Sequence, residues 1–174
     1  MGDNFFAYLQ QLEMMAFFSG YPLFYAFIHF ISGNNQSKPN TKKKIDSLLP
    51  FSYALVGTLY LGLQLKNLYP DYSFENIKGT LQQPFLVIWA LLSILFWIPA
   101  LHKKPVLSLI HSLVFFFFLV RDLILQSTTS SADKYIVRND MKIYTDSLLL
   151  NGGAFAFIVI LFFLYTFYKK RFNA

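Results

Sequence analysis

The stretch HSLVFFFFLVRDLIL, residues His111 to Leu125, decides the fold, because four consecutive phenylalanines run into the charges of Arg121 and Asp122. A helix that crosses a bilayer needs about 20 largely apolar residues to span roughly 30 Å of hydrocarbon. Counted from Pro105, Arg121 lies about 24 Å along such a helix. The stretch therefore predicts a membrane span whose charges mark the outer edge of the hydrocarbon.

The composition favours the same environment. The chain has 174 residues, of which 55% are hydrophobic, 20% aromatic and 14% charged, whereas a soluble domain averages about 45–50% apolar and about 25% charged residues. The formal charge of +6 lies in short lysine clusters beside apolar segments, which favours orientation in a membrane over nucleic-acid binding. The sequence has no cysteine, which excludes disulfides and thiolate chemistry.

Four other segments have the length and apolarity of a span. The five predicted spans are residues 9–32, 48–68, 84–101, 105–126 and 148–168. We therefore predict an all-α fold, a single integral membrane domain over residues 1–174 that forms a five-helix transmembrane bundle. The outer connections are then 69–83 and 127–147, and the polar, alternating sequence of the second predicts a small hairpin or a partner-binding loop.

The distribution of basic residues predicts the orientation. Nine Lys and Arg residues fall on one side of the predicted spans with a single acid, Asp46, and the other six fall on the opposite side with most of the acids. The positive-inside rule then places the N-terminus outside and the C-terminus in the cytoplasm, in a plasma membrane or a bacterial inner membrane. The start MGDNFF has no Lys or Arg, so we expect it to be retained rather than cleaved as a signal peptide.

The first span contains a helix-breaking pair, Gly20 and Pro22. We expect a kink there, with a freed carbonyl that a neighbouring helix or water satisfies. The same span carries Glu13, about 27 Å from its inner end and so at a depth similar to that of Arg121. An ion pair between Glu13 and Arg121 would fix the register of the first and fourth helices. The alternative is that Glu13, Arg121 and Asp122 each reach separately into water and head groups.

The second span carries a polar stripe. Tyr53, Gly57, Tyr60 and Gln64 recur at spacings of four, three and four, so they share one helix face, which should look inward. Close helix packing is the favoured interpretation, and a ligand or quinone slot is the alternative. In the fifth span, the small residues of 152–156 predict a second close contact.

Two histidines on different spans, His29 and His111, lie at comparable depth and could ligate a haem axially. Hydrogen bonding within the bundle is the simpler interpretation, because the sequence shows no third ligand and no haem-attachment motif. Known catalytic motifs are absent from the sequence. Since none of the five spans carries an ionisable group near mid-membrane, we do not expect autonomous ion transport.

We therefore expect a small non-catalytic membrane protein, an accessory or scaffold subunit that binds membrane lipids and other integral membrane proteins, with no nucleic-acid partner and no cofactor. One alternative is a haem- or quinone-binding redox protein that uses His29 and His111. Another is a lipid or small-molecule carrier or enzyme, with an intramembrane site between the first two helices around Tyr21, Tyr25, Tyr53 and Gln64.

Overall fold

A computed structural model describes most of the chain. The described residues are 11–34, 39–70, 72, 84–128 and 134–172; of these, the side chains of 32–34, 39–43, 126–128, 134–140 and 172 are not described. The predicted connection 69–83 lies largely outside the described residues.

All the described elements are helices. They are α1 (residues 11–18), α2 (Tyr21–Asn34), α3 (Pro39–Leu68), α4 (Pro84–Leu91), the 3-10 helix η1 (Leu92–Trp97), α5 (Pro99–His102), α6 (Pro105–Thr128) and α7 (Lys134–Phe172). Four of them begin at a proline, whose missing N–H costs least in a first helical turn.

Four helical segments are long and apolar enough to cross a membrane. They are Gln11–Ile31, Lys44–Leu68, Pro105–Leu125 and Met141–Arg171. The third predicted segment is a shorter apolar helix, Pro84–Trp97. It changes from α to 3-10 geometry at Leu92 and ends at Ile98, whose extended backbone precedes Pro99. The fold is thus an all-helical bundle with four candidate membrane-spanning helices.

The predicted outer connection 127–147 is corrected by the structure. Helix α6 continues to Thr128, and α7 already begins at Lys134, so residues 134–147 are helical and form no hairpin. Extending an existing helix fixes one residue per hydrogen bond, whereas a new element must first be nucleated at a net cost. No Gly or Pro lies between Lys134 and Gly152, so the apolar helix extends back to Lys134.

Neighbouring segments alternate in direction along the chain. The segment α1–α2 runs antiparallel to α3 and α6, α4–η1 runs antiparallel to α3, and α7 runs parallel to α1–α2. The direction of α1–α2 against α3 follows from the contacts Glu13–Gln64 and His29–Asp46, and against α6 from Gln11–Asp122 and Tyr21–Ser108. The direction of α4–η1 against α3 follows from Gly57–Ser93 and Phe51–Trp97. The direction of α7 against α1–α2 follows from Gly20–Ser147 and Phe24–Phe155.

The predicted break at Gly20 and Pro22 is present between α1 and α2. Helix α7 satisfies the backbone groups there: the Gly20 N–H donates to Ser147 Oγ at 2.8 Å, and Asn151 Nδ2 donates to the Phe17 carbonyl at 2.9 Å. A Cβ on Gly20 would lie 2.7–2.8 Å from backbone atoms of α7. Glycine is required here because the two backbones approach so closely.

Candidate functional site

Tyr53 lies at the centre of the buried aromatic cluster. Its side chain is 0% exposed, and its ring contacts Phe18, Tyr21, Phe96 and His111 with centroid separations of 4.4–5.7 Å. The closest of these rings, at 4.4 Å, is Tyr21 of α2. Aromatic rings therefore fill the space between the first and second spans at this level.

The structure buries the whole polar stripe of α3. Tyr53, Gly57, Tyr60 and Gln64 all face the interior, with Tyr60 0% and Gln64 8% exposed. A Cβ on Gly57 would overlap Ser93 Oγ and lie 3.0 Å from Ser93 Cβ. The missing side chain of Gly57 is what lets η1 lie directly against α3.

His111 is locked by both ring nitrogens. Nδ1 lies 2.7 Å from the Tyr53 hydroxyl and Nε2 lies 2.8 Å from the Trp89 carbonyl. Because a carbonyl only accepts, Nε2 carries a proton, and in the neutral ring Nδ1 accepts from the hydroxyl of Tyr53. Trp89 Nε1 donates to the His111 carbonyl at 3.3 Å, and the two rings stack at 4.8 Å. These contacts join α3, α4 and α6.

The structure does not bring His29 and His111 to a common site. The side chain of His29 is 54% exposed, with Nδ1 3.9 Å from Asp46 Oδ1, and its ring stacks on Tyr25. The partners of the two histidines on α3, Asp46 and Tyr53, are about 10 Å apart along the helix axis. Among the described residues, no group of three or more His, Cys, Asp or Glu side chains is placed to hold a metal ion.

Tyr21 makes a second buried link, between α2 and α6. Its hydroxyl lies 2.8 Å from Ser108 Oγ, and Ser108 itself donates to the Pro105 carbonyl at 2.7 Å. Since the serine proton is used in that bond, Tyr21 is the donor to Ser108. Tyr25, the other tyrosine of the predicted intramembrane site, is partly exposed and lies beside His29.

Several linking residues were missed from the sequence, namely Trp89, Ser93, Ser108, Ser147 and Asn151. A signal was present for some of them. A lone Asn or Ser within an apolar span is costly in lipid, so it tends to face another helix, and Asn151 is such a residue. Trp89 carried no such signal, because the partner of its carbonyl, His111, depends on how two helices are rotated.

The structure does not bring Glu13 and Arg121 into an ion pair. Glu13 Oε2 instead lies 3.5 Å from both Gln64 Nε2 and Asn67 Nδ2, and the side chain of Arg121 is exposed. Arg121 follows the buried Leu119 by two residues, which places it about 200° around α6. Helices α1 and α6 do meet at this level, where Gln11 donates to Asp122, but Arg121 lies on an exposed face of α6.

Comparison with protein families, curated proteins and solved structures finds no significant match to the chain. The class therefore rests on the fold and the described interior, which define a membrane-type helical bundle. Its central residues can hold helices together through aromatic packing and hydrogen bonds. Among the described residues, the two histidines of the spans do not face each other, and the hydrogen-bonded pair Tyr53–His111 is buried.

Proposed function

We propose that the chain is a small non-catalytic integral membrane protein, an accessory or scaffold subunit of a larger membrane protein complex. The observation that carries this proposal is that three buried polar side chains, Tyr53, His111 and Asn151, form hydrogen bonds between helices. His111 spends both ring nitrogens on Tyr53 and Trp89, and Asn151 bonds the backbone at the break after α1. In an apolar environment, such bonds stabilise one helix arrangement.

The membrane arrangement in this proposal has five crossings. The alternating directions of the segments support it, since α4–η1 runs opposite to α3 as a crossing segment would. Its length supports it as well: eight α-helical residues at 1.5 Å and six 3-10 residues at 2.0 Å reach about 24 Å, which is most of a hydrocarbon core of roughly 30 Å.

The proposed orientation keeps the N-terminus outside and the C-terminus in the cytosol, in a plasma or bacterial inner membrane. It is supported by the exposed basic side chains at one end of the described bundle, which are Lys44, Lys103, Lys104 and 169–171. Positively charged residues accumulate on the cytosolic side and attract anionic lipids there. Membrane lipids are accordingly proposed as partners.

The outer surface offers two faces on which a partner helix could lie close. Gly62 of α3 and Gly153 of α7 are exposed, and a Cβ on either would meet nothing within 4 Å. Exposed glycines lower helix stability in a monomer but let a second helix approach closely. This supports helix-to-helix association with other membrane proteins.

The test is purification from the native membrane in a mild detergent, followed by mass spectrometry of what remains bound. We expect an integral membrane protein to co-purify at a fixed ratio. The variants Gly62→Leu and Gly153→Leu form a matched pair, since each blocks one outer face without touching the core. If only one of them releases the co-purifying protein, the face that it blocks is the binding face. A monodisperse monomer with an activity of its own would contradict the proposal.

The other candidate functions need larger rearrangements. Haem ligation or quinone binding by His111 requires breaking its bond to Tyr53 or to Trp89, and a carrier site in the first cleft requires separating the Tyr21 and Tyr53 rings. The absorption spectrum of the purified protein decides the first case. A Soret band that disappears in His111→Ala would favour the redox alternative over the scaffold.

A further inference from the structure

Four side chains from α1 and α3 form a polar group near one end of the bundle, which we call the Glu13 funnel. It consists of Glu13, Tyr60, Gln64 and Asn67. Asn67 is exposed, Glu13 is partly exposed, Gln64 is 8% exposed and Tyr60 is 0% exposed. The exposure of these side chains thus falls over two turns of α3, from the exposed Asn67 to the buried Tyr60.

The charge of Glu13 is only weakly compensated inside the funnel. Its two hydrogen bonds come from neutral amides, both reach the same oxygen, Oε2, and both are 3.5 Å long, near the upper limit for such a bond. Among the described residues, no cationic side chain forms an ion pair with Glu13. A carboxylate moved out of bulk water is stabilised by an opposite charge and by strong hydrogen-bond donors. The other oxygen of Glu13, Oε1, can accept a hydrogen bond from a cationic donor.

Tyr60 provides the buried end of the funnel. Its hydroxyl is buried without a hydrogen-bond partner among the described groups, although the hydroxyl of Tyr53, two turns along the same helix, is bonded. A buried hydroxyl left unpaired is costly. The Tyr60 ring packs edge-on against Phe17 at 5.4 Å, and Phe17 lies one turn after Glu13 on α1.

We propose that the Glu13 funnel is a binding site for a primary ammonium group. Such a group would neutralise Glu13, donate one N–H to Oε1 and another to the Tyr60 oxygen, and place its charge beside the rings of Tyr60 and Phe17. A metal ion fits the group less well, because amide nitrogens rather than oxygens face the carboxylate. This inference extends beyond the proposed scaffold role and does not depend on a protein partner.

The ammonium group can come from a free amine or from the headgroup of phosphatidylethanolamine, since the funnel opens toward the end of the bundle where headgroups would lie. Two arms distinguish these sources. In detergent, the melting temperature is followed against ethanolamine hydrochloride, with sodium chloride and choline chloride at equal ionic strength. In nanodiscs of phosphatidylcholine with or without phosphatidylethanolamine, the lipid retained after extraction is identified by native mass spectrometry.

We expect a rise in melting temperature of about 5–10 °C when ethanolamine exceeds its Kd about hundredfold, increasing with the logarithm of its concentration, or selective retention of phosphatidylethanolamine. Choline has no N–H to donate and should have little effect. Glu13→Gln should weaken binding about ten- to hundredfold, because it removes a charge-assisted bond. Tyr60→Phe keeps the ring and should weaken binding about two- to tenfold.

The matched control is Asp122→Asn, which also converts a carboxylate to an amide. Asp122 lies on α6 and accepts a hydrogen bond from Gln11, outside the funnel. Binding should persist in this variant. Equal shifts in the wild type and in Glu13→Gln, equal shifts by choline and ethanolamine, or no response in either arm would each overturn the proposal. If Glu13→Gln does not fold, an unchanged Kd in Tyr60→Phe would have the same consequence.

Discussion

Replacing Gly57 with alanine should destabilise the bundle by separating α3 from η1. The added methyl would overlap Ser93 Oγ and lie 3.2 Å from the backbone nitrogen of Ile94. Ser93 cannot simply turn aside, because it is 0% exposed and its hydroxyl donates to the Ala90 carbonyl at 2.6 Å. The methyl must therefore push the two helices apart or break that bond.

The magnitude follows from three opposing effects. Overpacking of a tight interior costs about 1–3 kcal/mol, and loss of the serine hydrogen bond costs about 0.5–1.5 kcal/mol. Alanine recovers about 1 kcal/mol through its higher helix propensity. We expect a net loss of about 1–3 kcal/mol in the free energy of unfolding, or about 2–4 °C in melting temperature per kcal/mol.

The assay is reversible unfolding in mixed micelles, with two further variants. Gly62→Ala is the control on the same helix, where a Cβ meets nothing within 4 Å; it should be neutral or slightly stabilising. Ser93→Ala removes the overlapping hydroxyl, so Gly57→Ala combined with Ser93→Ala should lose at least about 1 kcal/mol less than the sum of the single changes. Additive losses, or equal stability of the two glycine variants, would refute the proposed contact.

Three further predictions test the links and the orientation. Tyr53→Phe leaves a buried ring nitrogen of the histidine unpaired and should cost about 1–3 kcal/mol in unfolding free energy, whereas Tyr25→Phe should change it little; equal losses would contradict the assigned bond. Asn151→Leu removes the donor to the Phe17 carbonyl and should cost about 1–2 kcal/mol, so an unchanged melting temperature would count against that bond. A single cysteine replacing Lys170 should be labelled by an impermeant maleimide only after cells are opened, and labelling of intact cells would rule out a cytosolic C-terminus.

Four long apolar segments could be predicted from the sequence because span-forming hydropathy is a local property. The 3-10 geometry of the third segment could not be predicted in the same way. The change at Leu92 accompanies a tertiary contact, Ser93 against Gly57, that no local sequence pattern contains. The helical start of α7 was missed for a different reason. The alternating residues near Lys134 suggested a strand, but continuation of the adjacent span helix prevailed.

Helical periodicity predicted which residues of α3 form the buried face of the candidate site. It did not predict which residues of the other helices contact that face. The spacing of Tyr53, Gly57, Tyr60 and Gln64 predicts one face, and those four residues do share the buried face of α3. Which residues meet that face depends on the rotation of the other helices about their axes. The sequence indicates the level of a residue along its helix but not the rotation of that helix. It therefore suggested Arg121 as a partner for Glu13 at a similar level, although Arg121 lies on a different face of α6.

The length of α7 has a mechanical consequence. Its 39 residues form one rod of about 58 Å, nearly twice the thickness of the hydrocarbon core. A continuous helix curves gently instead of folding at a joint, so a pull on the N-terminal turns of α7 is passed along the axis to the basic turns at its C-terminal end. We expect α7 to bend most easily at its two adjacent glycines, 152 and 153. Replacing them with residues of higher helix propensity would transmit motion more directly between its two ends.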